Sequence, residues 1–305
     1  MIQTMNILEV NNLCKSYKGK KVLEGVSFSI KPSEIVGFIG PNGAGKTTTM
    51  KCISNLIFPD YGEIVIDGYD LKKQRIKALS SLAAVIENPG LFLDLTGREN
   101  IKMIAELKGI SLDRINEIID FVGIGANIDK KTMNYSMGMK QRLGLGIAII
   151  GKPKLLILDE PTNGLDPSGV MKLRNTLKNL VEHEGMSILF SSHHLGEVEK
   201  LANRIIFIEK GMINEVSKEI YSNCRYLLRC NNASKVLAII SAGKPNVNVE
   251  KISDETISIE ISSEREFNNI INYIAVNADI ELYDIVKESI EVETIYKNIY
   301  GENYE

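Results

Sequence analysis

The run GFIGPNGAGKTTTM, Gly37 to Met50, limits what this chain can fold into more than any other stretch. It contains G-x-x-x-x-G-K-T, with Gly40, Pro41, Asn42, Gly43, Ala44, Gly45, Lys46, Thr47 and Thr48 in sequence. The apolar Ile35-Val36-Gly37-Phe38-Ile39 before it reads as a buried parallel strand. A helical pattern follows from about Gly45 to about Leu56, with Pro59 as a stop. Strand, glycine loop and helix together form an anion cradle. Glycines let successive backbone N–H groups point inward, and the helix start adds the positive end of its dipole. Lys46 supplies a point charge for terminal phosphates, and the Thr47 hydroxyl is a hard ligand suited to Mg²⁺.

The rest of the chain adds oxygen chemistry at strand ends. Leu155 to Glu160, LLILDE, is an apolar strand closing in two carboxylates, and ligands gather at the carboxyl ends of parallel strands. Asp159 is placed to hold Mg²⁺, directly or through water, and Glu160 to deprotonate an attacking water. Pro161 breaks the strand, and a helix is expected from about Ser168. A second buried strand, 187–191, leads to His193, a hydrogen-bond donor in reach of a terminal phosphate. Tyr17, upstream of the loop, reads equally as a base-stacking platform or an ordinary strand aromatic.

Between these strands the pattern is helical from Thr96 to about Val122, with Thr96 and Glu99 spaced as a capping box. Tyr135 to Ile150 is another helix-like stretch, with Ser136 as N-cap and Gly138 keeping its start open. Gly144 and Gly146 lie inside it, where each costs about 1 kcal/mol, so close packing against this face is expected. After a hairpin at Lys210-Gly211 and a linker at 217–224, the pattern becomes β-α-β-β-α-β with a closing helix at 290–300. That order is the ferredoxin-like arrangement.

Composition narrows the partners. The chain carries 36 Lys and Arg against 39 Asp and Glu, net −3, without a basic run, which argues against nucleic acid. Residues from 218 on hold nine basic and fifteen acidic side chains, read as a solvated surface. No apolar run approaches the about 18 residues of a membrane span, and the N-terminus lacks a signal-peptide layout. The four scattered cysteines fit a reduced, cytosolic protein.

Taken in order, these motifs resemble an ABC-transporter ATP-binding subunit over about residues 6–216. The resemblance implies a P-loop NTPase of ABC ATPase type, α/β, with a RecA-like core, an antiparallel β subdomain and a helical subdomain at about 88–150. Residues 1–217 form that domain, and 218–305 a C-terminal α+β ferredoxin-like domain. By position, Gly40 to Thr48 matches the Walker A loop and Tyr17 the adenine-stacking aromatic. Tyr135 to Met139 matches the signature, Leu155 to Glu160 matches Walker B, Gly164-Leu165-Asp166 the D-loop and His193 the switch histidine. Two copies are implied to sandwich two ATP molecules, the Ser136 and Gly138 of one facing the Walker A loop of the other. An integral-membrane permease and a place on the cytoplasmic face of a bacterial membrane are implied too.

Two departures carry information. Met137 and Met139 replace the signature's usual Gly and Gln, while Ser136 and Gly138 remain. Glu87 stands at the Q-loop glutamine position and is expected to contact Mg²⁺ or its water and couple hydrolysis to transport. A glutamate there resembles exporters of the bacitracin-resistance and lantibiotic-immunity type. Alternatives are a soluble ABC ATPase working on ribosomes or DNA, an ATP-switched regulatory module, and an exporter of lipid, drug or ion.

Overall fold

A computed structural model describes residues 5–193, 195–216, 224–243, 247–261, 264–277 and 280–289. The chain divides into two compact units, one running to Glu215 and the other from Val216.

The first unit begins with β1 (Leu8–Tyr17) and β2 (Lys20–Ile30), an antiparallel pair turning at Lys18-Gly19. β4 (Tyr61–Ile66) and β5 (Tyr69–Asp70) extend them into a four-stranded sheet ordered β2-β1-β4-β5. A second sheet is built on β3 (Ile35–Ile39), β6 (Leu82–Val85), β7 (Leu155–Leu158), β8 (Ser187–Ser191), β9 (Arg204–Glu209) and β10 (Met212–Val216). Its order is β10-β9-β3-β8-β7-β6, with β9, β3, β8, β7 and β6 parallel. β3, β7 and β8 are buried at nearly every position, as strands covered on both faces must be.

The helix α1 (Lys46–Ile53) lies in the core shared by the two sheets. Its Met50, Cys52 and Ile53 bury among Leu13, Val26 and Ile66 of one sheet and Phe38, Ile157 and Ile206 of the other. Phe28 stacks on Phe38, centroids 5.7 Å apart, tying the sheets directly. α2 (Arg75–Ser80) precedes β6.

Three helices form the inserted layer: α3 (Gly97–Lys108), α4 (Leu112–Val122) and α5 (Met137–Ile149). Thr96 and Glu99 cap α3 reciprocally, as their spacing requires, and Ser136 Oγ accepts from Met139 N to start α5. The two α5 glycines have separate packing reasons. A Cβ on Gly146 would lie 2.5 Å from Val122 of α4, and one on Gly144 would lie 2.5 Å from Pro89. α6 (Pro167–Glu184) starts one residue before the expected Ser168, because Asp166 serves as its N-cap through Gly169 N. α7 (Leu195–Leu201) packs on β3 over Gly37.

The second unit has β11 (Cys224–Cys230), α8 (Ala233–Gly243), β12 (Asn248–Lys251), β13 (Thr256–Ile261), α9 (Glu264–Asn277) and β14 (Leu282–Ser289). Its sheet is antiparallel throughout, ordered β12-β13-β11-β14. Tyr226, Leu228, Ile257 and Ile259 meet Val236, Ile240, Phe267 and Ile274 in one core. The expected helix at 290–300, and the linker apart from Cys224, lie outside the described residues.

Candidate active site

The phosphate loop leaves β3 at Gly40 and enters α1 through Gly45. Gly45 has φ +115°, and a Cβ there would lie 2.7 Å from Leu23, so both backbone angle and space demand glycine. The turn after β9 holds the loop from behind. Gly211 N donates to Ala44 O at 3.0 Å, and Glu24 N donates to Gly211 O at 2.8 Å. Because α1 begins at Lys46, the first-turn N–H groups of Lys46, Thr47 and Thr48 have no helical carbonyl to pair with.

Lys46 folds back across this loop. Its ammonium donates to Gly40 O at 2.5 Å and Pro41 O at 3.2 Å. The side chain is buried, which lowers its pKa below the ordinary lysine value, while the Glu160 and Asp159 carboxylates pull it back up. An arriving polyphosphate would stabilise the charged form further.

Behind Lys46 a chain of polar contacts links the start of α1 to the ends of β7 and β8. Thr47 Oγ1 donates to Asp159 Oδ2 at 2.9 Å. Ser191 Oγ, fully buried at the end of β8, donates to Asp159 Oδ1 at 2.6 Å. The same hydroxyl accepts from Glu160 N at 2.8 Å. Glu160 sits at φ +48°, a left-handed backbone that turns its carboxyl away from the strand. Its Oε2 meets His193 Nδ1 at 2.8 Å.

A cleft of about 640 Å³ opens in front, lined by Tyr17, Asn42, Gly43, Gly45, Lys46, Thr47, Thr48 and Glu160. Tyr17 is 46% exposed, as a stacking platform needs to be. Three lysines that no sequence motif marks as part of a site, Lys20, Lys21 and Lys210, line the same cleft. Each is brought there by a hairpin turn, a placement that sequence spacing does not reveal.

Ser136, Gly138 and Asp166 do not line this cleft. They border a separate cavity of about 300 Å³ between the starts of α5 and α6. Ser136 Oγ caps Met139 N at 3.3 Å, and Asp166 is held by Ser168 Oγ and Gly169 N, which keep its carboxyl below the ordinary range. Met137 packs against Gly164, where a Cβ would approach its Cγ to 3.0 Å. Glu87, also at positive φ, points its carboxylate at Lys51 Nζ, 2.6 Å away, beside a small crevice it shares with Asp159 and Glu160.

The ABC transporter family profile matches residues 23–163. The chain is 42% identical over 208 residues to the lantibiotic transport ATP-binding protein SrtF of Streptococcus pyogenes, covering 68% of this chain and 89% of that one. It is 36% identical over 257 residues to the bacitracin transport ATP-binding protein BcrA of Enterococcus faecalis, covering 83% of each. The chain belongs to the ATP-binding subunits of ABC transporters. Among solved structures, the ABC ATPase fold recurs in a dimeric post-hydrolysis state of the cassette MJ0796 bound to ADP and Pi. That match has a TM-score of 0.63 and 25% identity, over 68% of this chain and 98% of that one.

The donors of this ABC ATPase also suit a hard cation. Thr47 and Asp159 bring a hydroxyl and a carboxylate together at 2.9 Å, both oxygen. No group of three His, Cys, Asp or Glu side chains fit for a metal occurs among the described residues. A site with one carboxylate suits Mg²⁺, which keeps waters and takes the rest of its ligands from substrate phosphates. No helix among the described residues is long and apolar enough to cross a membrane.

Proposed function

We propose that this subunit binds Mg-ATP in the Tyr17–Lys46 cleft and hydrolyses it to power export of peptide antibiotics. The supporting observation is the contact chain Thr47–Asp159–Ser191–Glu160–His193, which sets a base beside a cation-ready oxygen pair at the floor of the cleft. Tyr17 stacks on the adenine. The amides of residues 42 to 48 and the Lys46 ammonium hold the phosphates. Thr47 and Asp159 hold Mg²⁺, which when bound neutralises phosphate charge. Glu160 takes the proton of the attacking water, and His193 steadies both Glu160 and the terminal phosphate.

The Ser136–Gly138–Asp166 surface serves the ATP of a second copy, so the working form is a dimer joined to a membrane-spanning permease on the cytoplasmic face of the membrane. The names of SrtF and BcrA support peptide antibiotics as the cargo class. Glu160→Gln tests the base assignment. It should bind ATP normally and hydrolyse it about 100-fold or more slower; full turnover would remove Glu160 from that role.

A further inference from the structure

The loop after β6 is held at two points that belong to different parts of the unit. Pro89 presses on α5 at Gly144, where no side chain fits. The Glu87 carboxylate instead reaches α1 and pairs with Lys51. Tight turns stiffen the loop between them, with Asn88 N donating to Ile86 O and Leu91 N to Pro89 O, both at 2.8 Å.

Lys51 lies four residues after Thr47 on α1, so the two share a helix face about 5–6 Å apart. Glu87 is therefore parked one helical turn below the hydroxyl that bonds Asp159. The pair is partly open to solvent, Lys51 at 29% and Glu87 at 61% of side-chain exposure. Exposed pairs of this kind are weak, and a divalent charge one turn away competes with them readily.

We propose that Lys51 is a positioning residue that holds the Glu87 carboxylate one turn away from the Thr47–Asp159 cation site. Lys51 and the cation compete for one carboxylate. Because α5 grips the loop at Pro89 and begins with the Ser136–Gly138 segment, displacement of α5 shifts Glu87 between the two. Lys51 thereby sets how much cation the subunit needs before Glu87 engages. This inference rests on the proposed Thr47–Asp159 cation site.

The test titrates Mg²⁺ against binding of a fluorescent ATP analogue, with a metal-free EDTA series alongside. Lys51→Met should lower the Mg²⁺ midpoint about two- to fivefold, the range of a surface ion pair. Binding in EDTA should stay within twofold of the unaltered protein. Lys51→Arg, which keeps the charge, should restore the midpoint. In a Glu87→Gln background, Lys51→Met should no longer move it. An unchanged midpoint in Lys51→Met, or a shift that persists without the Glu87 carboxylate, overturns the proposal. Asp159→Asn separates the two levels of the argument. If it raises the midpoint while Lys51→Met does nothing, the cation site stands and the Lys51 role falls. If Asp159→Asn has no effect, the site reading itself fails.

Discussion

Replacing Ser191 by alanine removes one hydroxyl that serves two partners. It donates to Asp159 Oδ1 at 2.6 Å and accepts from Glu160 N at 2.8 Å, and the residue is fully buried. A hydrogen bond to a charged group contributes about 1.5–3 kcal/mol and a neutral one about 0.5–1.5 kcal/mol. Some of that returns, since alanine no longer has to bury a hydroxyl. A net loss of about 2–3 kcal/mol follows, or roughly 4–12 °C in the melting temperature of a unit this size. Function should suffer as well. Glu160 occupies a left-handed backbone at φ +48°, a setting that costs about 1–3 kcal/mol and persists only where its surroundings hold it. Without its N–H anchor the carboxylate drifts, and a misplacement of about 1 Å costs on the order of 100-fold in rate. The assay pairs scanning calorimetry with ATP turnover by phosphate release at saturating Mg-ATP. A melting point within about 1 °C of the unaltered protein and unchanged turnover would refute the linkage of β7 and β8 through this hydroxyl.

Four more outcomes follow from the same geometry. Gly45→Ala should abolish nucleotide binding, measured by equilibrium dialysis, because a Cβ would meet Leu23 at 2.7 Å on a φ +115° backbone. Gly144→Ala should lower the melting temperature by the equivalent of about 1–3 kcal/mol, since Pro89 must move away from the new methyl group. Cys52, whose thiol is pushed by burial up to about 12, should resist alkylation at neutral pH until the unit unfolds, as mass spectrometry of labelled peptides reports. At Asp67, burial works to raise the carboxyl, but Lys154 and Ser81 outweigh it and hold the group below its ordinary value. Its stabilising share is therefore complete above the unfolded carboxylate value of about 4 and fades as pH falls below it, a dependence that Asp67→Asn should remove from acid-unfolding curves.

Local chemistry made much of this fold legible in the sequence. The Thr96–Glu99 box and the Ser136 cap act within four residues, so their spacing sufficed. The buried strands before Gly40 and Asp159 announced themselves as apolar runs, and Gly144 and Gly146 as helix glycines needing a packing partner. The order β-α-β-β-α-β was readable, and antiparallel pairing over one core gives it the expected topology. Contacts made across long separations were not legible. Ser191 looks like any strand residue until β8 pairs with β7 and turns its hydroxyl to Asp159 and Glu160. Lys210 reaches the cleft only because its turn hydrogen-bonds behind the phosphate loop. The contact of Glu87 with Lys51, 36 residues away in sequence, has no local signal either.

One copy carries the Lys46 cleft and the Ser136–Gly138 surface in separate places, and the proposed function brings the surface of one copy to the cleft of another. The direct measurement is the mass, by light scattering, of Glu160→Gln protein with Mg-ATP, alone and in detergent with its membrane partner. A nucleotide-dependent species of two chains holding two ATP molecules, lost on Ser136→Arg substitution, is the predicted result. A single-chain species under every one of those conditions would contradict it.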